Sequence, residues 1–234
     1  VVPLVLVMRI LSPMIKFKFI KIRSDRIGHF IYDGAEWFSR SKLKSEYKLF
    51  FCIIGNTPNK QWEKMLKRSL CIKPIYKYIY IWNEFLPGPK AFTKSKSLTG
   101  SRDITMLYQK TKFDFNFTNN EETKCKEWLL NKGWKTSQPF ICIIVRDDAF
   151  HSNLPSDRIY YHQYRNSDIE AFNSSITWLI KKGYWVIRMG HKTEKALSIR
   201  SHKFIDYSFD KNKRDLLDIW IFANCTACIT TGTG

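Results

Sequence analysis

Four short polar clusters follow apolar runs in this sequence, and they hold the residues best suited to chemistry. They are residues 26–29, 146–148, 188–191 and 230–234. Each stands at the end of a predicted strand, and ligands of open α/β sheets bind at the carboxyl ends of the strands. Arginine binds phosphate oxygens through paired, charge-assisted hydrogen bonds, and a glycine-containing loop lets backbone N–H groups approach an anion. The clusters therefore predict a diphosphate site.

Each cluster also has a simpler interpretation. A single arginine at a strand end is commonly just solvated, and His29 could cap a helix or lie half-buried beside its glycine. The run Thr-Gly-Thr-Gly lacks the lysine of a Walker loop and the spacing of a dinucleotide-binding fingerprint. The aromatic and polar residues 160–166 precede a predicted helix, in the kind of loop that commonly contacts a ligand.

The elements that would position these clusters alternate between strand and helix. Short apolar runs closed by glycine are typical of buried parallel strands, and the segments between them show helical periodicity. The predicted strands are residues 17–22, 49–54, 140–145, 184–188, 204–207 and 227–230, with residues 72–82 left as strand or helix. A helix is expected to open at Pro58, and another to follow a capping box at residues 167–170. This order predicts an α/β fold with parallel, doubly wound sheets in two units that meet near residues 118–138.

Composition excludes several classes of protein. The chain has 234 residues, of which 44% are hydrophobic, so it can bury a core and is not disordered. Its net charge is +18, and residues 1–100, with 19 basic and 6 acidic side chains, contribute +13 of it. This surplus favours an anionic partner, although a lysine-rich genome would produce it without any function. The six cysteines are too few for a disulfide scaffold and form no second pair for zinc, which indicates packing residues in a reducing compartment.

The apolar start of the chain admits two interpretations. Residues 1–15 are too short for a membrane span and run into a lysine-rich stretch. They could form a membrane-associated segment on an anionic surface, or a buried first helix or strand. Because the chain begins at Val1 and stops at Gly234 within a Gly-Thr run, we expect a fragment whose second domain is incomplete.

Several stretches carry a resemblance to a known family. They are residues 23–30 (Arg-Ser-Asp-Arg-Ile-Gly-His-Phe), 145–147 (Val-Arg-Asp), 164–170 (Tyr-Arg-Asn-Ser-Asp-Ile-Glu), 183–190 (Gly-Tyr-Trp-Val-Ile-Arg-Met-Gly), 205–207 and 230–234. In these, and in their order along nearly the whole chain, the sequence resembles bacterial glycosyltransferases of GT-B-type organisation, and more distantly fucosyltransferase-like folds. The resemblance implies two Rossmann-like domains, an acceptor-side domain over residues 1–118 and a nucleotide-sugar domain over residues 139–234, joined by a helix within residues 119–138.

The resemblance also implies roles for individual residues. The donor diphosphate would be bound by Arg146, Arg188, Gly190, Thr231, Gly232, Thr233 and Gly234. The cleft would be lined by Arg26, Gly28, Tyr164, Arg165 and Asn166. His29 is the first candidate for the general base and Asp147 the second. Ile144 stands where fucosyltransferase-like folds place the histidine of an H-x-R motif, so only the arginine role carries over.

The implied activity is transfer of a sugar from a nucleoside-diphosphate sugar to a cell-surface polysaccharide or a lipid-linked glycan. No cofactor or nucleic acid is expected. No metal is expected either, because the chain offers only Asp147-Asp148 in place of a D-x-D triplet. The expected location is the cytoplasm, at the periphery of the inner membrane. Two alternatives stay open: a non-catalytic remnant of that family, and a basic nucleic-acid-binding α/β protein, although no signature of an RNA- or DNA-binding fold is present.

Overall fold

The computed structural model describes residues 1–94, 103, 106–111, 115–150 and 163–231. The chain divides into two compact units, Val1–Asn116 and Phe117–Gly234. Each is described by itself below.

The first unit contains a parallel sheet with helices around it. Its helices α1 to α5 are Val2–Leu11, Ile27–Ser41, Lys60–Ser69, Pro74–Phe85 and Leu107–Lys110. Its strands β1 to β3 are Phe17–Ile22, Lys48–Ile53 and Thr93–Lys94, in the spatial order β2-β1-β3. Strand β1 is therefore central, and its residues pair in parallel with β2 from Phe17 opposite Lys48 to Ile22 opposite Ile53.

Close packing between helices shapes this unit. A Cβ atom added to Gly34 on α2 would lie 2.8 Å from Leu66 Cδ2 on α3, so any larger residue there would force the buried Leu66 side chain to move. Trp62 on α3 donates through Nε1 to the carbonyl of Phe30 at 3.0 Å, which fixes the same contact. On the side of the sheet that α1 and α4 cover, Phe19 packs with Val5 and Ile79.

The second unit contains the other parallel sheet. Its helices α6 to α8 are Asn119–Asn131, Asn173–Lys181 and Asp215–Asn224. Its strands β4 to β7 are Phe140–Ile144, Trp185–Arg188, Phe204–Asp206 and Ala227–Thr230, in the spatial order β6-β5-β4-β7. All three strand pairs are parallel.

Helices cover both faces of this sheet. Successive side chains of a strand point to opposite faces, and β4 follows that rule. Cys142 packs in the cluster that contains Leu129 of α6 and Trp220 of α8. Its neighbour Ile143 packs in the cluster that contains Ile176 of α7. The prediction of an α/β protein with parallel sheets is therefore confirmed.

Two local predictions are corrected, and one open alternative is decided. Helix α3 begins at Lys60 rather than at Pro58, because the Asn59 side chain accepts from the N–H of Trp62 and caps the helix there. Residues 167–170 form no capping box, since Asp168 accepts from the nearby Glu170 N–H and a 3-10 helix, Ile169–Phe172, precedes α7. A capping box does occur at Thr118, where it begins α6. Residues 72–82 fall mainly in helix α4.

The first segment of the chain is a helix rather than a strand. Of the ten residues of α1, only Val5 is buried. No helix within the described ranges combines the length and the apolar character that a membrane crossing requires.

Candidate functional site

The second sheet reverses its winding direction between β4 and β7, and ligands of open α/β sheets bind at such a point. Arg146 follows β4 and Thr231 follows β7. The backbone N–H of Arg146 donates to Thr231 Oγ1 at 3.0 Å, and the Thr231 N–H donates to the carbonyl of Ile144 at 3.3 Å. Two residues predicted for the donor diphosphate thus lie together at this point.

Asn166 joins the same cluster. The Arg146 side chain donates through Nε to Asn166 Oδ1 at 3.2 Å, while Asn166 Nδ2 donates to Asp148 Oδ1. Two of the other four residues predicted for the cleft stand in the 3-10 turn Gln163–Arg165, where Tyr164 is 81% exposed and Arg165 is half-buried. The loop before this turn, residues 151–162, lies outside the described residues.

The Asp147 carboxylate accepts hydrogen bonds from two backbone N–H groups. Its Oδ1 accepts from the N–H of Ala149 at 3.2 Å and its Oδ2 from the N–H of Glu194 at 2.9 Å. It therefore ties the loop after β4 to the loop after β5. Asp147 is the second candidate for the general base, and both of its carboxylate oxygens already accept hydrogen bonds from the backbone.

An acidic cavity of about 320 Å³ lies between these two loops. Its lining includes Asp147, Asp148, Asp168, Glu194 and Lys195. Lys195 is paired with Asp168 at 2.9 Å, so its charge is largely compensated. Like charges repel, and this lining disfavours a diphosphate. Within the described residues, no group of three histidine, cysteine, aspartate or glutamate side chains is arranged to hold a metal ion.

Arg188 lies inside the protein rather than on an open edge. Its side chain is 1% exposed, and Nη1 pairs with Asp206 Oδ2 at 3.0 Å. The two residues lie opposite each other in the register of β5 and β6. Nη1 also donates to the carbonyl of Lys195 at 2.7 Å. Nε and Nη2 are buried without a hydrogen-bond partner among the described residues. Direct contact between Arg188 and a donor stays a prediction, because the side chain is enclosed as the structure stands.

A second cavity, of about 480 Å³, opens at the carboxyl ends of β5 and β6 and is basic. It is lined by Ala149, His191, Lys192, Thr193, Ser208, Phe209, Asp210 and Lys213. Lys213 Nζ donates to the carbonyls of His191 at 2.9 Å and Ser208 at 2.6 Å, which fixes its ammonium group. Asp210 is paired with Lys132 at 2.5 Å, so the one acid of the lining is compensated. We call this the basic cavity.

One polar atom of a lining residue has no described partner: Thr193 Oγ1 is buried without a hydrogen bond within the part of the chain that the structure describes. The guanidinium carbon of Arg188 lies 5.8 Å from the ring centroid of Phe209, another lining residue. Gly190 makes the loop possible, since an added Cβ would lie 2.7 Å from Thr193 Cγ2. Its visible role is close packing within the protein.

The predicted residues of the first unit lie after β1. Arg26 is the N-cap of α2, and Gly28 and His29 are in its first turn. Burial, with the nearby Arg23 and Arg26, lowers the pKa of His29 despite the opposing effect of Asp25. One turn further on, burial raises the pKa of Asp33 from 3.8 to about 6, although its Oδ2 accepts from the Arg23 N–H at 2.8 Å.

Sequence reasoning missed several of these groups. No sequence motif contains Lys192, Phe209 or Lys213. The two lysines line the same cavity because the loops that carry them follow neighbouring strands, β5 and β6. Asp33 could have been noticed in the sequence, because an acid on the apolar face of a predicted helix is buried and needs a hydrogen-bond partner. Gly232, Thr233 and Gly234 lie outside the described residues, so their predicted role stays a prediction.

Comparison with protein-family models, with curated proteins and with solved structures finds no match for this chain.

Proposed function

We propose that the protein is a glycosyltransferase and that its second unit binds the nucleoside diphosphate of a sugar donor in the basic cavity. The observation that carries the proposal is this cavity of about 480 Å³, which brings Lys192, Lys213 and the exposed ring of Phe209 to the carboxyl ends of two parallel strands. Its size is within the roughly 300–1,000 Å³ of small-molecule sites. The cations suit phosphate oxygens, and the ring suits the face of a nucleobase.

The arrangement of Lys213 supports an electrostatic role. Two of its three N–H donors are held by backbone carbonyls, so the charge is placed before a ligand arrives. Charge that is already positioned stabilises a leaving diphosphate without reorganisation during the reaction, and such stabilisation is often the largest catalytic contribution. Lys192 is exposed and adds a second, adjustable cation.

The reaction class rests on the resemblance to glycosyltransferases. The acceptor hydroxyl oxygen would form a bond to the anomeric carbon while the bond from that carbon to the phosphate oxygen breaks. The nucleoside diphosphate leaves with the electron pair, and a base takes the hydroxyl proton. We assign the base to His29, whose lowered pKa favours the neutral imidazole near pH 7.

The role of His29 has its own test. His29→Asn should lower turnover by about 10²–10⁴-fold, the usual contribution of a general base, and leave diphosphate affinity unchanged. Equal turnover in the variant would move the base to another residue.

The acceptor and the place of action are parts of the same proposal. A cell-surface polysaccharide or a lipid-linked glycan would be the acceptor, at the inner face of the membrane. A non-catalytic remnant of the family would fold but bind no ligand. A nucleic-acid-binding protein would bind nucleic acid with a steep dependence on salt and would bind no nucleotide sugar.

Calorimetric titration of the chain with GDP and UDP, with CMP as the control ligand, tests the donor site. We expect saturable binding of one diphosphate. Lys192→Glu should weaken it at least about tenfold, because it reverses a charge beside the phosphates. Lys135→Glu makes the same charge change before β4, at the opposite edge of the sheet, and should leave the affinity unchanged. A folded chain that binds neither diphosphate would overturn the proposal.

A further inference from the structure

Helix α1 exposes most of its apolar side chains. Ile10 is 75% exposed and Met14, just after the helix, is 84% exposed. Within and beside α1, the other apolar side chains that are more than 40% exposed are Val1, Leu4, Leu6, Val7, Leu11 and Ile15. Single exposed apolar residues are normal on a protein surface, but a contiguous group of this size marks an interaction site.

Helix α4, which packs against α1, has a second apolar face of its own. Its inner face buries Ile79 and Tyr80. Its outer face carries Ile75, Tyr78, Trp82 and Phe85, which recur at helical spacing and are all more than 40% exposed. The rings of Trp82 and Phe85 lie 6.1 Å apart, and Phe85 reaches 77% exposure.

A polar clamp holds the two helices together. Arg9 of α1 donates through Nε to Asn83 Oδ1 at 2.8 Å and through Nη1 to the carbonyl of Pro87 at 2.6 Å. The guanidinium also stacks over Phe92, 4.5 Å from the ring centroid. The exposed side chains of α1 and α4 therefore belong to one braced part of the surface, which we call the apolar face.

The charge on and beside α1 and α4 is mostly basic. Residues 1–16 and 73–90 contain five lysine or arginine side chains and one acid, Glu84, whose Oε1 accepts from the Thr93 hydroxyl. A second copy of this chain, docked face to face, would bring two such basic segments together at a cost in repulsion. The complementary partner is anionic and has an apolar interior.

We propose that the apolar face docks on the surface of an anionic lipid bilayer. With ten residues, α1 is about 15 Å long, half of the roughly 30 Å hydrocarbon core, so it lies in the plane of the interface. Its apolar side chains enter the acyl boundary, Trp82 and Tyr78 sit at the headgroup level, and the surrounding lysines contact lipid phosphates. This surface is in the first unit and does not depend on the nucleotide site of the second.

Sedimentation with lipid vesicles tests the proposal. The full chain is mixed with phosphatidylcholine vesicles or with vesicles in which about a third of the lipid is phosphatidylglycerol. We expect binding to the anionic vesicles, weaker at high salt, and little to the neutral ones. Ile10→Ser and Phe85→Ser should each weaken it about tenfold, since each removes one large side chain from the acyl boundary.

Two matched variants serve as controls. Leu130→Ser and Trp178→Ser remove apolar side chains that are 46% and 58% exposed on the second unit, and they should bind vesicles as the parent does. Because all four side chains are exposed, no core is lost, and circular dichroism should show the parent fold. Equal binding by Ile10→Ser and Leu130→Ser would overturn the proposal. A second result would also overturn it: the parent chain self-associates and does not bind vesicles, and the α1 and α4 substitutions make it monomeric.

Discussion

The Arg146 side chain donates through Nε to Asn166 Oδ1 at 3.2 Å, across twenty positions of sequence. Arg146 follows β4, whereas Asn166 follows the 3-10 turn Gln163–Arg165. The bond helps to orient the guanidinium, since the amide oxygen of Asn166 accepts from Nε. The side chain of Arg146 thus has a defined position at the carboxyl end of the sheet.

Arg146 does not line the basic cavity, although the loop that follows β4 contributes Ala149 to it. The predicted contact of Arg146 with the donor diphosphate therefore rests on the resemblance to glycosyltransferases. On that prediction, Arg146→Ala should weaken diphosphate binding at least about tenfold while the free energy of unfolding falls by only about 1 kcal/mol, the net value of a typical hydrogen bond. Calorimetry and urea denaturation measure the two effects. Arg200→Ala, an exposed arginine ahead of β6, is the matched control and should change neither. A loss of stability large enough to account for the loss of binding would refute the role of Arg146.

The buried pair of Arg188 and Asp206 is expected to matter for folding. Asp206→Asn leaves the Arg188 charge without a counter-ion inside the protein, so the free energy of unfolding should fall by about 3–5 kcal/mol. Adding Arg188→Met removes the stranded charge, and the double variant should recover much of that loss. Glu46→Gln, in the exposed pair with Lys16, should have little effect in the same urea titration. Additive losses in the double variant would show that the two side chains are not coupled.

Asp33 should make stability depend on pH. Its pKa is raised from 3.8 to about 6 in the folded state, so the folded protein holds the proton more tightly than the unfolded chain. Its contribution is complete below about pH 4 and is lost as the pH rises through about 6, a change of about 2–3 kcal/mol. Asp33→Asn should remove this dependence and stabilise the protein at pH 7, measured by denaturation between pH 4 and pH 8. Its amide oxygen can still accept from the Arg23 N–H.

Glu127→Gln provides the reference for this measurement, because that carboxyl is exposed on α6. Its pH profile should follow that of the parent. If Asp33→Asn follows the same profile, then Asp33 is not the source of the pH dependence.

Ile176 tests the core of the second unit. It is fully buried between α7 and the sheet, so Ile176→Ala should lower the free energy of unfolding by about 2–5 kcal/mol. Ile75→Ala makes the same truncation at a side chain that is 42% exposed on α4 and should cost much less. Diphosphate affinity should stay at the parent value in both variants. Equal stability losses would mean that the helix face of α7 is misassigned.

Much of the secondary structure is local and could be predicted from the sequence. The apolar run that became β4 predicts a parallel strand because both of its faces are buried, and the periodicity of Ile176 and Leu179 predicts the inner face of α7. Capping was harder, since Asn59 and Asp168 compete with the expected caps through short-range hydrogen bonds.

The sequence by itself also determined the sign of the charge, the apolar character of residues 1–15 and the presence of an arginine after β4. These are properties of residue types and of their spacing within a few positions. Together with the alternation of strand and helix patterns, they are sufficient to predict a parallel α/β protein that prefers anionic partners.

Only the tertiary structure decided which of these side chains are enclosed and which are exposed at the carboxyl edge of the sheet. Arg188 follows an apolar run just as Arg146 does, but strand register places it opposite Asp206 and buries it. Lys213 reaches the carbonyl of His191, 22 positions away, because the loops after β5 and β6 meet at one edge of the sheet. Exposure depends on neighbours that are distant in the chain, and a local pattern of residues carries no information about them.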